Sequence, residues 1–241
     1  MAKAPKNVVA KSRQNNKVRN RLLLIPGIAL LIKLSIISRI QGFDWYAAGG
    51  KDVVNGLGML LDKNYIPSHA WYGADGENYI RGLWELAKRG LFSPEGKLSY
   101  WPAGYPMLMW PLLLLFKGAF FGVLASLQSF IYAVGCAFFV DELRRTRLAK
   151  FSIPVALFLS FNPTLALNTI AVGYELPAVG LSLIALASLA RSFRLNKIRV
   201  FSFESIIASL SFSLATFMQP RLLLLAFIFF FIWAIAKYRV G

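Results

Sequence analysis

Residues 105–116 read YPMLMWPLLLLF, and how often this chain crosses a membrane turns on them. They open an apolar stretch that runs to residue 140, long enough on paper for two spans and broken at Lys117-Gly118. The first part has 12 residues, about 18 Å as a helix, against a hydrocarbon core of about 30 Å. Pro106 and Pro111 weaken it further. We read 105–116 as an interfacial or re-entrant helix, with the true span following over 119–140.

The basic residues support that choice. With 105–116 not crossing, spans over 22–38, 119–140, 151–172, 177–190, 203–218 and 222–236 leave residues 1–21, 141–150, 191–199 and the tail on one side. Together these segments hold 17 Lys/Arg. Counting 105–116 as a span would put RRTR (144–147) and the tail on the wrong sides. The expected fold class is all-α: a multi-pass membrane protein of about six transmembrane helices, both termini cytoplasmic, with a long first outer loop carrying juxtamembrane helices. In a bacterium the location would be the plasma or inner membrane.

Composition agrees. The 241 residues are 57% hydrophobic and 16% charged, with a mean hydropathy of +0.55; a soluble domain carries about 25% charge. The net charge of +16 sits between apolar runs rather than on one amphipathic face, which argues for topology and against nucleic acid as a partner. Residues 1–21, with seven Lys/Arg and no acid, read as a basic cytoplasmic arm, and 22–241 as a transmembrane module. The first apolar run has no small-residue cleavage site after it and reads as an uncleaved anchor, with Lys33 snorkelling outward. Cys136 is the only cysteine and His69 the only histidine, so an intrachain disulfide and a histidine-rich metal site are excluded, and acid–base chemistry falls to the carboxylates.

The polar insert 41–104, within an outer loop that extends to 118, holds seven of the eleven acids. Residues 44–62 read as a short glycine-interrupted helix. Residues 76–89 read as a second, with Tyr79, Leu83 and Leu86 on one stripe and Gly90 as the stop. Gly118 and Gly122 could make a close helix contact. The topology places Asp75, Glu77, Glu175 and Arg221 on one outer face, where carboxylates and a guanidinium suit an anionic, lipid-linked substrate. Each also has a bland reading: Asp75 as a helix N-cap, Glu77 as a first-turn acid, Glu175 and Arg221 as headgroup-level charges. The tryptophans 45, 71, 84, 101 and 110 fit an aromatic belt as well as a sugar-stacking platform. A transporter is disfavoured, because the spans show little polar beyond Ser, Thr and Asn168.

The run from Asp75 through Tyr79, Ala87 and Gly90 to WPAGYP (101–106) resembles the first outer loop of the GT-C glycosyltransferases, of the protein mannosyltransferase and aminoarabinose-transferase type. NPTLALNTIAVGYELP (162–177) is similar to that superfamily's third span, which ends in a second acid, and MQPRLLLL (218–225) to a later basic stretch. The resemblance implies transfer of a sugar from a polyprenyl-phosphate donor to an acceptor glycan, lipid or protein on the non-cytoplasmic face. It implies Asp75 as catalytic base and Glu175 as second acid. Expected substrate contacts are Tyr79, Arg81, Trp101, Tyr105, Tyr174 and Arg221, with Lys33 or Arg81 assisting at the leaving phosphate. Asp75 and Glu77 could hold a divalent Mg or Mn ion, as in the oligosaccharyltransferase branch, whereas the polyprenyl-monophosphate branch works without metal. Similar enzymes continue for several further spans, so the alternative expectation is a truncated or non-catalytic membrane subunit that binds lipid-linked sugar or scaffolds a partner.

Overall fold

The computed structural model describes residues 23–35, 76–90, 102–116, 120–162, 172–195 and 201–240. These residues are helical with short turns, and no strand occurs among them. The helices are α1 (Leu23–Ser35), α2 (Gly76–Arg89), α3 (Gly104–Phe116), α4 (Phe120–Leu143), α5 (Ser152–Phe161), α6 (Glu175–Arg194), α7 (Phe203–Met218) and α8 (Leu223–Val240). Single 3-10 turns, Ala149–Phe151 and Pro220–Leu222, lead into α5 and α8. Gly122–Leu143 and Glu175–Arg194 are long and apolar enough to cross a membrane by length and composition, and the other apolar helical stretches have 10–17 residues.

Local chemistry explains the helix ends. The α2 stripe is buried as expected, with Tyr79, Leu83 and Leu86 at 1%, 0% and 2% exposure. Gly90 stops it at φ +79°, a left-handed conformation that glycine adopts without Cβ strain, and its N–H closes on the Leu86 carbonyl at 2.8 Å. Ser202 caps α7, its hydroxyl accepting the Ser205 N–H at 3.2 Å, with Glu204 in the first turn. Of the span expected over 151–172, residues 163–171 lie outside the described residues. Its helix, α5, has ten residues and ends at Phe161, where Asn162 turns extended at ψ 123°. Pro163 follows in the sequence, and a proline disfavours the α conformation in the residue before it. The span expected over 177–190, or extended through Phe193 because 177–190 is short, is the 20-residue helix from Glu175 to Arg194. The glycine-interrupted helix expected over 44–62 lies outside the described residues.

Contacts set the directions. Ile25 of α1 packs at Val140 of α4, and Lys33 lies over Tyr132, so these helices are antiparallel. Gly180 of α6 meets Tyr132 of α4, and Arg194 pairs with Glu142, so α4 and α6 run parallel. Glu204 pairs with Arg191 at one end of α7, and Gln219 bonds Tyr174 just past the other, so α7 is antiparallel to α6. From the Glu142 end, α5 reaches Tyr132, whose hydroxyl donates to the Leu159 carbonyl at 2.5 Å. From the Gln219 end, α8 returns to pack Trp233 beside Phe193 in the cluster around Leu189 and Phe212. Helices α1, α4, α5, α6, α7 and α8 therefore alternate between the same two ends.

Helices α4 and α6 cross with their backbones in close approach. A Cβ on Gly135 would overlap the Gly180 carbonyl, and one on Gly180 would lie 2.8 Å from the Tyr132 Cα. Small residues let apolar helices approach backbone to backbone, where dispersion replaces the missing hydrophobic drive of a lipid setting. A close helix contact is thus found at Gly135; of the pair Gly118 and Gly122 expected to make one, Gly118 lies outside the described residues. Large apolar side chains such as Phe158, Leu210, Phe227 and Phe231 are exposed on α5, α7 and α8.

Helix α3 is of a different kind. Tyr105 at its start bonds Gln128, while Leu113 near its end joins Phe120 and Leu124, so it folds back along the first turns of α4. Gly104 abuts the carbonyl of Phe217, the last turn of α7. With α2, it stacks at the end of the bundle that carries Glu175 and Gln219.

Candidate functional site

Four sequence segments far apart in the chain converge at that end. Tyr79 comes from α2, Tyr105 from the AGYP stretch, Tyr174-Glu175 from the start of α6, and Gln219 from the turn after α7. The Tyr79 ring stands edge-on to both other tyrosines, with centroids 5.0 Å from Tyr105 and 5.8 Å from Tyr174. Such edge-to-face pairs contribute about 0.5–1.5 kcal/mol beyond area burial. Two glutamines fix the phenols: Tyr105 donates to Gln128 Oε1 at 2.7 Å, and Gln219 Nε2 donates to the Tyr174 hydroxyl at 2.6 Å.

Glu175 occupies the first turn of α6, where the helix dipole favours a carboxylate. Its Oε2 folds back over Gly173, so closely that a Cβ there would overlap it. Gly173 also hydrogen-bonds Tyr105 through its backbone. Burial pushes the Tyr105 phenol well above its ordinary range; the Gly173 bond opposes this, while the nearby Glu175 carboxylate and Tyr79 add to it. Tyr105 therefore stays a neutral hydroxyl beside the carboxylate.

Of the residues expected at the site, Tyr79, Tyr105, Tyr174 and Glu175 are brought together. Tyr79 and Tyr105 are fully buried, so in this conformation they shape the wall behind Glu175, while Tyr174 and Glu175 are partly exposed. Arg81 is exposed on α2, and Arg221 is exposed in the turn that begins beside Gln219. Asp75 and Trp101 lie outside the described residues; Glu77 lies in α2, and its side chain is not described. No group of three His, Cys, Asp or Glu comes together among the described residues; the side chains of Asp75 and Glu77, expected to hold a divalent ion, are not among those described. Lys33 is a correction: it does not snorkel outward but is 8% exposed, its Nζ 4.8 Å from the Tyr132 ring centroid. The ring face attracts the ammonium, and packing of α1 on α4 closes over it.

Gln128, Gln219, Gly104 and Gly173 were not singled out by the sequence. A buried glutamine in an apolar run was the available signal, because an amide in such a place needs a partner. Gln128 also corrects the statement that the spans hold little polar beyond Ser, Thr and Asn168. Comparison of the chain with protein-family models, with curated proteins and with solved structures gives no match.

Proposed function

We propose that this chain is an integral-membrane glycosyltransferase module of GT-C type, passing a sugar from a polyprenyl-phosphate donor to an acceptor on the non-cytoplasmic face. The observation that carries the reading is the convergence at one end of the bundle. The three stretches that resemble the GT-C pattern meet there through Tyr79, Tyr105, Tyr174-Glu175 and Gln219. Nothing in their local sequence requires that meeting.

In this reading the alternating helices are six membrane passes with both termini cytoplasmic, and α3 rests on the outer side without crossing. The donor reaches the site from the bilayer and the acceptor from water. Asp75 takes the proton of the acceptor hydroxyl as its oxygen attacks the anomeric carbon. The bond to phosphate breaks with inversion, and the leaving phosphate departs against Arg221, with Arg81 assisting. Glu175, held by the tyrosine wall, is the second acid and orients sugar hydroxyls. A second reading, a non-catalytic subunit that binds lipid-linked sugar, is favoured by one observation: Tyr79 and Tyr105 are packed shut.

The test is transfer of labelled sugar from a polyprenyl-phosphate donor in membranes carrying wild type, Asp75→Asn or Glu175→Gln. Turnover in Asp75→Asn should fall by about 10²–10⁴-fold, the usual worth of a general base, with donor binding little changed. Equal transfer by wild type and Asp75→Asn removes Asp75 from the mechanism. Donor binding without transfer by any of the three selects the subunit reading.

A further inference from the structure

A second polar pocket, sharing no residue with the tyrosine cluster, lies between α1, α4 and α5. Lys33, Ser129, Tyr132, Cys136 and Ser160 supply its polar lining, and its volume is about 10 Å³. Lys33 is 8% exposed, Ser129 1% and Ser160 3%. The hydroxyl oxygens of Ser129 and Ser160 have no hydrogen-bond partner among the described residues. None of the described residues lining the pocket carries a carboxyl group. The Tyr132 hydroxyl is committed to the Leu159 carbonyl, so its O–H is not offered to the pocket.

We propose that this pocket binds a single monatomic anion of the chloride class, paired with the protonated Lys33 ammonium and held by the Ser129 and Ser160 hydroxyls. An ammonium withdrawn from water is costly unless it is neutralised or paired, and the described lining supplies no carboxylate to pair it. The Tyr132 ring beneath it stabilises the charged form, which a neutral amine would gain nothing from. The donors are of one kind: the ammonium's protons and two hydroxyls with no other partner point to an acceptor without a proton of its own. Size then selects the acceptor. A space of about 10 Å³ is the room of about one water molecule, which excludes a phosphate or a carboxylate-bearing ligand. A water would satisfy the hydroxyls and leave the charge unpaired, so it is the competing occupant only if Lys33 is neutral.

The inference does not rest on glycosyl transfer, and bromide is the probe that tests it. Crystals of the full chain grown in bromide should show an anomalous peak in the pocket, in hydrogen-bond reach of Lys33 Nζ. In detergent, the melting temperature should be higher in bromide or chloride than in gluconate at equal ionic strength. Ser129→Ala should weaken bromide about tenfold, the worth of one hydrogen bond to a charged group. Lys33→Met, nearly isosteric along its stem, should abolish the halide dependence. A pocket without an anomalous peak, together with equal melting in all three anions, overturns the proposal in favour of water beside a neutral lysine. A halide response that survives in Lys33→Met overturns it equally. If Lys33→Met does not fold, the bromide peak in the wild type decides alone.

Discussion

At one end of the bundle Arg194 grips Glu142 with two contacts, its Nε at 2.5 Å and Nη2 at 3.1 Å, Arg144 and Arg145 each reach Asp141 at 2.7 Å, and Arg191 faces Glu204 at 3.6 Å. At the other end Tyr105 and Tyr174 are held by Gln128 and Gln219, and three aromatic rings close around the segment carrying Glu175. The same helices, α4, α6 and α7, supply both ends. Charge meets charge at the first; neutral donors and ring edges fix geometry at the second. Ion pairs set where a helix end sits relative to water and headgroups, and salt screens them where they are exposed. Neutral hydrogen bonds position a carboxylate without cancelling it, so the charge of Glu175 is left uncompensated by them.

The largest effect should come from breaking the ionic end. Glu142 is buried at 3% exposure, so Arg194→Ala strands its carboxylate, and removing one partner of such a pair costs about 3–5 kcal/mol. Unfolding in detergent should show that loss, and the double variant Arg194→Leu/Glu142→Leu should recover most of it. A loss under about 1 kcal/mol would mean that water reaches the pair and that the two ends differ less than their geometry indicates. Transfer activity per folded molecule should be unchanged, because the ionic end lies away from Glu175.

The pattern in the sequence carried part of this and physically could not carry the rest. Helix α2 is amphipathic, so its buried stripe and its Gly90 stop could be read directly, as could the Ser202 start of α7. Helices α4 and α8 are apolar nearly all round, so the faces that meet the protein leave no periodic mark. Gly135 looks like any other small residue in such a run until Gly180 arrives opposite it. The partners at the tyrosine end are 23 residues apart for Tyr105–Gln128 and 45 for Tyr174–Gln219, beyond the reach of any local pattern. The end of α5 was legible in Asn162-Pro163; the length of apolar sequence around it outweighed that signal. Asp75, the centre of the sequence-based site, lies outside the described residues, so the observed half of the site is the half that buttresses Glu175.

An intermediate effect is expected where the neutral end is closed by backbone. A Cβ at Gly104 would overlap the Phe217 carbonyl, and neither is the end of a flexible side chain, so Gly104→Ala must push α3 away from α7. Overpacking of this kind costs about 1–3 kcal/mol. The shift carries Tyr105 with it, so any activity that depends on Glu175 should fall by more than stability alone accounts for. A variant that melts like wild type would show that α3 is loosely seated, and the contrast with the ionic end would then be one of rigidity rather than of charge.

The smallest effect per contact comes from removing one neutral hydroxyl. Tyr105→Phe keeps the ring against Tyr79 and removes the oxygen that donates to Gln128 and takes the Gly173 backbone bond, so the aromatic packing stays and only polar links are lost. Each bond given up costs about 0.5–1.5 kcal/mol, because water replaces it in the unfolded state. Salt separates this variant from those at the other end. Tyr105→Phe should lose the same stability at low and high ionic strength, since no charge takes part in the bond, whereas the partly exposed Arg145–Asp141 contact should weaken as salt is added. Near Glu175 the change is more specific. Gly173 loses the oxygen that its backbone hydrogen bond addressed, and the carboxylate folded over Gly173 loses the neutral hydroxyl beside it. If Glu175 orients substrate, KM for the donor should rise while the rate of the chemical step holds. An unchanged KM with an unchanged melting temperature would mean that Gln128 alone, through its other contacts, keeps the tyrosine end in shape.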